Sequence, residues 1–520
     1  MTDTLVIALA QMTQSVGNMA YNADAMLAWR ARAEGADLIV FPELALIGCP
    51  AEDLVLKPAF VDRANEELDR LAQATADGGP AMLVGTVVAA QGVLFNSIAL
   101  LENGAVTQIR LKRELPNHGV FDEKRLFAPG PLPEPVPFRG VQLGVALGED
   151  ISFPFVTAHL KAQGAEILLC PSASPFEIAR GDHRMIGIAT TRLRETGLPL
   201  IWLNRIGGQD ELVFDGGSFV MNGDEAVAHR LPGWEEALVL TQWEKRDGQW
   251  ACVPGELHAP DDQAADIYQA MMVGLRDHVD RNGHAGVLID LTGGIGAALS
   301  AAVAVDALGA ERVRCLLLSP DDAGGARICA ERLGVACDEV PLGAATAALA
   351  AVLGPGALND LGGLALRALG AGSGSMPIDS RDKTALSLGL GEPCGAFSVV
   401  ADVYETTVRD LVQWRNANQP ARGRGPAGPI ITEQPLGVAA EADLPSHELL
   451  DPILYGMVEE DLSVDQLVAR GFERNVLAEV ERRLYAAEAA RHRSPPGVKI
   501  GTRSFGRDRR YPITHAFRTL

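Results

Sequence analysis

Residues 286–300 read GVLIDLTGGIGAALS, an apolar run followed by a glycine-rich turn and a series of small residues. The spacing predicts a buried strand over 286–291, a helix over 295–308 and a second strand over 313–318. This order is typical of a nucleotide-binding α/β fold, because such a turn presents backbone N–H groups to phosphate. The alternative is a scaffold in which the glycines serve only a tight turn.

Upstream of this stretch, short apolar runs alternate with amphipathic patterns. Residues 22–34 and 58–74 are predicted helices, and Asn-Gly turns at 103–104 and 222–223 predict hairpins. The runs predicted as strands are 5–9, 38–41, 81–88, 97–101, 142–146, 167–169 and 200–203. The mixture of hairpins and helical crossovers indicates a layered α/β first domain.

A polar, Pro-containing stretch near residue 254 interrupts this rhythm. We therefore predict a first domain over residues 1–252, a linker over 253–263 and a second domain over 264–520. The second domain is predicted to begin with a helix over 264–282 and to end with helices over 465–493 and an irregular basic tail.

The charge balance limits the classes of partner. The 45 Lys and Arg residues face 67 Asp and Glu residues, which gives a net charge of −22 and disfavours nucleic-acid and anionic-membrane partners. The seven cysteines have no C-x-x-C spacing, which favours reduced thiols and a cytoplasmic location over a disulfide framework or a metal site. Neither an export signal nor membrane insertion is expected from the apolar runs.

Two polar side chains stand out in the first half. Glu43 in FPEL follows a predicted buried strand, where apolar surroundings would raise the carboxyl pKa toward values that suit proton transfer. Lys112 in LKRELPNHG supplies a compact ammonium in a chain that mostly uses arginine. A solvent-facing carboxylate at a strand end and a chance surface lysine are the alternatives.

These segments resemble the amidase half of glutamine-dependent NAD synthetases, which belong to the nitrilase superfamily. The resemblance continues through SASP at 172–175, ETGLPL at 195–200 and NRIGGQDELVFDGGS at 204–218, in the order that the family has. It implies a nitrilase-like α-β-β-α sandwich for the first domain. For the second domain it implies a Rossmann-like parallel α/β domain of the ATP pyrophosphatase type.

In such enzymes a Glu/Lys/Cys triad releases ammonia from glutamine. The resemblance implies that Glu43 is the base, Lys112 the lysine and Glu123 an auxiliary glutamate. The family cysteine stands in Cys-Glu-Asp, whereas this chain reads GED from Gly148. Because glycine cannot form a thioester, the nucleophile is expected to be missing.

Cys49 and Cys170 are the thiols that could substitute for it. Packing roles are the alternative for both, because a nucleophile displaced by about 1 Å can lose roughly a hundredfold in rate.

The turn in the second half resembles the Ser-Gly-Gly-x-Asp-Ser loop of ATP pyrophosphatases. Thr292, Gly293 and Gly294 correspond to its first three residues. Gly296 and Ala297 stand where the loop has its aspartate and last serine, so a magnesium ligand and a phosphate donor are lost.

A second family motif, Gly-Asn-Lys-Ser-Glu, corresponds to residues 381–385. Lys383 is kept, and Ala385 replaces the metal-binding glutamate. No metal site and no cofactor are therefore expected. The closing FGRDRRYPIT at 505–514 also resembles the family's C-terminal motif, whose basic residues reach a nucleotide-bearing site.

These losses lead to the hypothesis of a pseudoenzyme that acts by binding, scaffolding or regulation. The alternative is an active NAD(+) synthetase with relocated catalytic groups, which would use nicotinate adenine dinucleotide, ATP, Mg²⁺ and glutamine or ammonia. A third hypothesis is a nucleotide sensor that uses residues 292–295 and the closing basic motif. Protein partners are expected, among them further copies of the chain and another enzyme complex.

Overall fold

The computed structural model describes residues 3–178, 180–318, 323–353, 361–432 and 444–517. The chain divides into two compact units. The first comprises Met1–Gly207 and Phe214–Asp261, and the second comprises Gly208–Val213 and Asp262–Leu520. The domain limits predicted near residue 253 remain a prediction. They do not provide for Gly208–Val213, which belongs to the second unit although it lies within the sequence of the first.

Two sheets form the centre of the first unit. One has the strand order β15-β14-β1-β2-β3-β4-β5 and the other the order β13-β12-β9-β8-β7-β6, and β10 pairs with β11. The strands are β1 Thr4–Gln11, β2 Leu38–Val40, β3 Ala81–Ala90, β4 Val93–Glu102, β5 Ala105–Leu111, β6 Val136–Phe138, β7 Val141–Val145, β8 Ile167–Ser172, β9 Leu200–Asn204, β10 Ile206–Gln209, β11 Leu212–Asp215, β12 Phe219–Met221, β13 Val227–Arg230, β14 Ala237–Arg246 and β15 Gln249–Cys252.

Helices cover the outer faces of both sheets. They are α1 Met19–Arg32, α2 Pro58–Ala74, α3 Glu123–Leu126, α4 Pro154–Ala162, α5 Arg180–Asp182 and α6 Thr190–Thr196, and a π-helical turn spans His183–Ala189. Side chains alternate along β1: Leu5 and Ile7 enter the core between the sheets, whereas Ala8 packs in the cluster under α1 and α2. The expected α-β-β-α sandwich is confirmed.

Helix α2 shows why the sequence pattern was informative. Pro58 occupies the first turn, where its missing N–H costs no hydrogen bond. Val61, Leu68 and Leu71 recur at helical spacing and are buried, while the intervening residues are mostly exposed. The observed bounds, Pro58–Ala74, are those predicted from the sequence.

The second unit has a parallel four-stranded sheet of order β18-β17-β16-β19. Its strands are β16 Gly286–Asp290, β17 Val313–Leu317, β18 Ala336–Glu339 and β19 Ser375–Pro377. Its helices are α7 Gln263–Arg281, α8 Ile295–Leu308, α9 Gly324–Leu333, α10 Gly343–Leu353, α11 Leu361–Ser373, α12 Lys383–Leu388, α13 Glu405–Ala417, α14 His447–Val458, α15 Val464–Ala469, α16 Arg474–Ala486 and α17 Glu488–Arg491.

Helix α8 is the centre of this unit. Every residue from Gly296 to Leu308 is buried, as expected for a helix that is apolar all round. A buried ion pair ties it to its neighbours: Asp306 accepts a 2.6 Å hydrogen bond from Arg415 Nε on α13 and another of 2.6 Å from the Tyr268 hydroxyl on α7. Within the described ranges, no helix combines the length and apolarity needed to cross a bilayer.

Candidate functional site

Glu43 lies just beyond the carboxyl end of β2 and is buried. The segment that carries it crosses very close to β3: a Cβ at Gly85 would lie 2.4 Å from Leu44 N and 2.5 Å from Pro42 O. Position 85 therefore has to be glycine for the two backbones to approach. This close crossing holds the Glu43 carboxylate inside the unit.

Lys112 follows β5 and lies between two carboxylates. Its Nζ is 2.6 Å from Glu43 Oε1 and 2.9 Å from Glu123 Oε1. Burial alone would lower the pKa of this ammonium, but the charges of Glu123 and Glu43 outweigh burial and raise the pKa above its ordinary value. The structure thus brings together the three residues that the family resemblance singled out, although their roles remain predictions.

Glu123 and Asp150 are both held in a setting that favours the protonated carboxyl. Burial raises the pKa of Glu123 to about 7, against the opposing effect of Lys112. Burial also raises the pKa of Asp150 to about 7, although Asp150 accepts hydrogen bonds from the backbone N–H groups of Glu114 and Arg113. The centre therefore holds titratable carboxyls whose charge changes near neutral pH.

Gly148 opens a short 3₁₀ helix, Gly148–Ser152, after β7, with φ of +54°. A Cβ at this position would lie 2.4 Å from Glu43 Oε2. The Glu43 carboxylate also accepts hydrogen bonds from Asn96 Nδ2 at 2.8 Å and from the Ala173 backbone N–H at 3.1 Å. Glu43 therefore fills the space in which a side chain at position 148 would begin.

The two thiols considered as substitutes lie near this cluster but are poorly suited to attack. Cys170 is fully buried, and its Sγ lies 3.7 Å from the carbonyl oxygen of Gly148. Burial raises the pKa of the Cys170 thiol well above its ordinary value, and burial followed by the charge of Glu43 does the same for Cys49. Both are therefore held as neutral thiols, which are weak nucleophiles.

Further polar residues that sequence reasoning did not single out fix the loop after β8; Asn204 lies within a quoted motif, whereas Arg184 lies outside all of them. Asn204 accepts a 2.9 Å hydrogen bond from Ser174 N and donates one of 3.0 Å to Ser174 O. Arg184, on the π-helical turn, forms a 2.9 Å ion pair with Asp215. The hydrogen bonds between Ser174 and Asn204 join the segments 172–175 and 204–218 in space. Asn96, by contrast, had no local signal.

In the second unit, the glycine-rich turn joins β16 to α8. Asp290 Oδ1 accepts hydrogen bonds from the Thr292 hydroxyl at 2.6 Å and from Thr292 N at 3.0 Å. Burial raises the pKa of Asp290, and these hydrogen bonds oppose that effect. The one hydroxyl that the turn retains is therefore already used within the chain.

The residues present do not fit the magnesium ion and ATP that the family loop implies. A Cβ at Gly296 would lie 2.5 Å from the carbonyl oxygen of Ser380, so the position expected to carry an aspartate has no room for a side chain. Ala297 and Ala385 have no side-chain oxygen, and Mg²⁺ is bound through carboxylate and other oxygen ligands. Lys383 is fully buried, 2.8 Å from Asp402 Oδ1, and also contacts Glu459.

Comparison with known proteins agrees with this architecture. Residues 6–249 match the carbon-nitrogen hydrolase family and residues 267–363 match the NAD synthase family. The chain is 39% identical to a glutamine-dependent NAD(+) synthetase of Rhodobacter capsulatus over 100% of both chains. It is 34% identical to one of Xanthomonas campestris pv. campestris, over 99% of this chain and 98% of the relative.

Solved structures give the same result. A glutamine-dependent NAD(+) synthetase of Acinetobacter baumannii, in complex with ADP, superposes with a TM-score of 0.77 at 32% identity, with 98% of each chain covered. A synthetase of Cytophaga hutchinsonii superposes with a TM-score of 0.82 at 18% identity over 99% of this chain and 98% of that one, which supports the fold alone. The chain therefore belongs to the family of glutamine-dependent NAD(+) synthetases.

Proposed function

We propose that this chain is a glutamine-dependent NAD(+) synthetase homologue that does not hydrolyse glutamine covalently and that acts by binding, scaffolding or regulation. One observation carries the proposal: the carboxylate of Glu43 fills the space beside Gly148, the residue that the family resemblance places at the nucleophile position. An acyl intermediate needs a side-chain nucleophile within bonding distance of the amide carbon.

The neighbouring groups support this proposal. Glu43 and Lys112 form a buried ion pair with each other, and a cysteine thiol is not needed to form it. Glu43 accepts hydrogen bonds from Lys112, Asn96 and the Ala173 backbone N–H, so both of its carboxylate oxygens are already paired within the chain. Contacts within the chain therefore hold the Glu43 and Lys112 side chains together, as a structural role for the pair requires.

The second unit supports the same proposal. Adenylation depends on charge neutralisation at the phosphates, and the metal that supplies it needs carboxylate ligands. The family resemblance places Gly296 and Ala385 at those positions, and the carboxyl of Asp290 beside the turn already accepts a hydrogen bond from Thr292. We propose no cofactor for the chain; ATP and Mg²⁺ enter only under the second candidate function.

The second candidate is an active NAD(+) synthetase, and the comparisons favour it at the level of the family. Relatives that are matched over almost their whole length, at 39% and 34% identity, carry that name. Activity in this chain would need nucleophilic and metal-binding groups from other positions. Ammonia from solution would bypass the first requirement but not the second.

A pair of assays on the purified full-length protein tests the two candidates. Glutaminase activity is measured as glutamate release. Synthetase activity is measured as NAD formation from nicotinate adenine dinucleotide, ATP and Mg²⁺, with glutamine in one series and ammonium in the other. We expect no turnover in any series, whereas a glutamine-dependent relative run in parallel turns over. Sustained NAD formation by this protein would establish the second candidate instead, provided that an inactive point variant purified in the same way forms no NAD.

Partners and location are parts of the same proposal. We propose association with further copies of the chain or with another enzyme, in the cytoplasm, because binding is the role left once catalysis is lost. Native mass measurement and co-purification from the source cell test this. A strictly monomeric protein that co-purifies with nothing would contradict it.

A further inference from the structure

Lys383 has an environment that its motif did not predict. Its side chain is fully buried in the second unit, where Nζ lies 2.8 Å from Asp402 Oδ1, contacts Glu459 Oε1 and donates a 2.7 Å hydrogen bond to the carbonyl oxygen of Arg503. The ammonium group donates hydrogen bonds to Glu459 and to the Arg503 carbonyl, and Asp402 supplies a second negative charge beside it. The Lys383 side chain is therefore enclosed by groups of the chain itself.

The remaining oxygens of the two carboxylates hold the chain near the C-terminus. Asp402 Oδ2 accepts hydrogen bonds of 2.7 Å from both Ile500 N and Gly501 N. Glu459 Oε2 accepts hydrogen bonds from the Thr502 hydroxyl at 2.5 Å and from Arg503 N at 2.8 Å. We call Lys383, Asp402 and Glu459 the charge clasp, since together they bind the four consecutive residues 500–503.

The lysine is what allows the two carboxylates to be buried side by side. Burial would raise the pKa of Asp402, but Lys383 and Lys499 outweigh it and keep the pKa below its ordinary value. Burial would lower the pKa of Lys383, and Asp402 and Glu459 raise it instead. Without the ammonium, two anions would repel each other in a medium that screens them poorly.

Residues next to this segment also contact one another. Lys499 Nζ lies 2.9 Å from Asp508 Oδ2, and the same oxygen accepts 2.8 Å hydrogen bonds from Ser504 N and Ser504 Oγ. The basic side chain of Arg509 lies 3.1 Å from Glu488 on α17. Groups within the second unit therefore fix the course of the C-terminal segment.

We propose that Lys383 is a positioning residue: through Asp402 and Glu459 it fixes the course of residues 500–503, and it does not contact phosphate. This goes beyond the loss of catalysis proposed above, because it assigns a role to a retained residue and holds whether or not the chain turns over.

Hydrogen exchange of the full-length protein, followed by mass spectrometry, tests the proposal. In Lys383→Met the amides of Ile500, Gly501 and Arg503 are expected to exchange at least tenfold faster than in the unchanged protein. Lys112→Met is the matched control, because it removes another buried ammonium from between two carboxylates but in the first unit. It should leave exchange over 500–503 unchanged.

A second measurement separates positioning from phosphate binding. Calorimetric titration with inorganic pyrophosphate is expected to give the same result, within twofold, for the unchanged protein and Lys383→Met. A loss of affinity of tenfold or more in a folded Lys383→Met protein would overturn the proposal. Unchanged exchange over residues 500–503 in that variant would overturn it equally.

Amine labelling of the unchanged protein makes the test independent of whether the variant folds. Lys383 is expected to react with an acylating reagent at less than one tenth of the rate of the exposed Lys124, with or without pyrophosphate. Equal rates for the two lysines would mean that the clasp is open in solution, and the proposal would fail.

Discussion

Replacement of Gly148 by alanine tests the idea that the Glu43 carboxylate has taken over the space of a missing side chain. Two costs are expected. A non-glycine residue at φ of +54° is strained by about 1–2 kcal/mol. The new Cβ would also lie 2.4 Å from Glu43 Oε2, so the carboxylate has to move and give up one hydrogen bond to a charged group, which costs about 1.5–3 kcal/mol. The sum is about 2.5–5 kcal/mol of lost stability.

The chain offers a matched control for the first cost. Gly197, at the end of α6, has φ of +68°, and a Cβ there would meet nothing within 4 Å. Gly197→Ala should therefore lose only the conformational part, about 1–2 kcal/mol. The difference between the two variants measures the contact with Glu43. In a Glu43→Ala background this contact is gone, and Gly148→Ala should cost no more than Gly197→Ala.

Urea unfolding followed by tryptophan fluorescence is the appropriate assay, because the signal comes mainly from the first unit. Trp414 lies in the second unit, and the first unit contains Trp29, Trp202, Trp234, Trp243 and Trp250. Equal losses of stability for Gly148→Ala and Gly197→Ala, or the same loss for Gly148→Ala in both backgrounds, would refute the reasoning.

Three further outcomes are expected. The first unit should lose stability as the pH rises from about 4 to about 7, because folding raises the pKa of Glu123 from 4.5 and that of Asp150 from 3.8 to about 7, so the folded protein binds more protons in this range. Glu123→Gln should reduce the pH dependence of the free energy of unfolding, measured by urea unfolding at several pH values. An unchanged pH dependence would contradict the assignment. Arg415→Met should destabilise the second unit by about 3–5 kcal/mol, because it leaves the fully buried Asp306 carboxylate without its cation, whereas Tyr268→Phe removes one hydrogen bond and should cost about 1–3 kcal/mol. Chemical unfolding followed by circular dichroism measures both losses, and equal losses would argue against the ion pair. Cys170 should resist alkylation by iodoacetamide at pH 8 until the protein is unfolded, as read by peptide mass spectrometry, and rapid labelling of the native protein would show that its thiol is accessible and ionised.

Sequence patterns were sufficient to predict helices in which buried residues recur at regular spacing. Helices α2 and α8 were predicted with their observed bounds, because apolar residues recur at helical spacing in the first and small apolar residues fill the second. The two-domain α/β architecture and the family were likewise predicted and are confirmed. The helices predicted over 465–493 are α15, α16 and α17, whose separate bounds the sequence pattern did not give.

Long-range contacts were beyond sequence reasoning. The partners of Glu43 include Asn96 and Ala173, which are 53 and 130 residues away, and no spacing rule links them. The same holds for Lys383 and Glu459, separated by 76 residues. The family motif marks Lys383 as a vestigial nucleotide-binding residue, together with Thr292, Gly293 and Gly294, but only the folded chain reveals the carboxylates that surround Lys383. The loss of catalysis remains a prediction.

The stretch Gly208–Val213 has a consequence for any attempt to separate the two halves genetically. Gly208 N donates a 2.7 Å hydrogen bond to Asp277 on α7, and the carbonyl oxygen of Glu211 accepts one of 2.8 Å from Lys499 N. A gene fragment cut near residue 253 would encode a C-terminal half without these six residues, which the N-terminal half supplies. Independent expression of the C-terminal half would leave the Asp277 carboxylate and the Lys499 amide without these partners. A gene that encodes the second unit alone would therefore have to replace the hydrogen bonds that residues 208–213 supply.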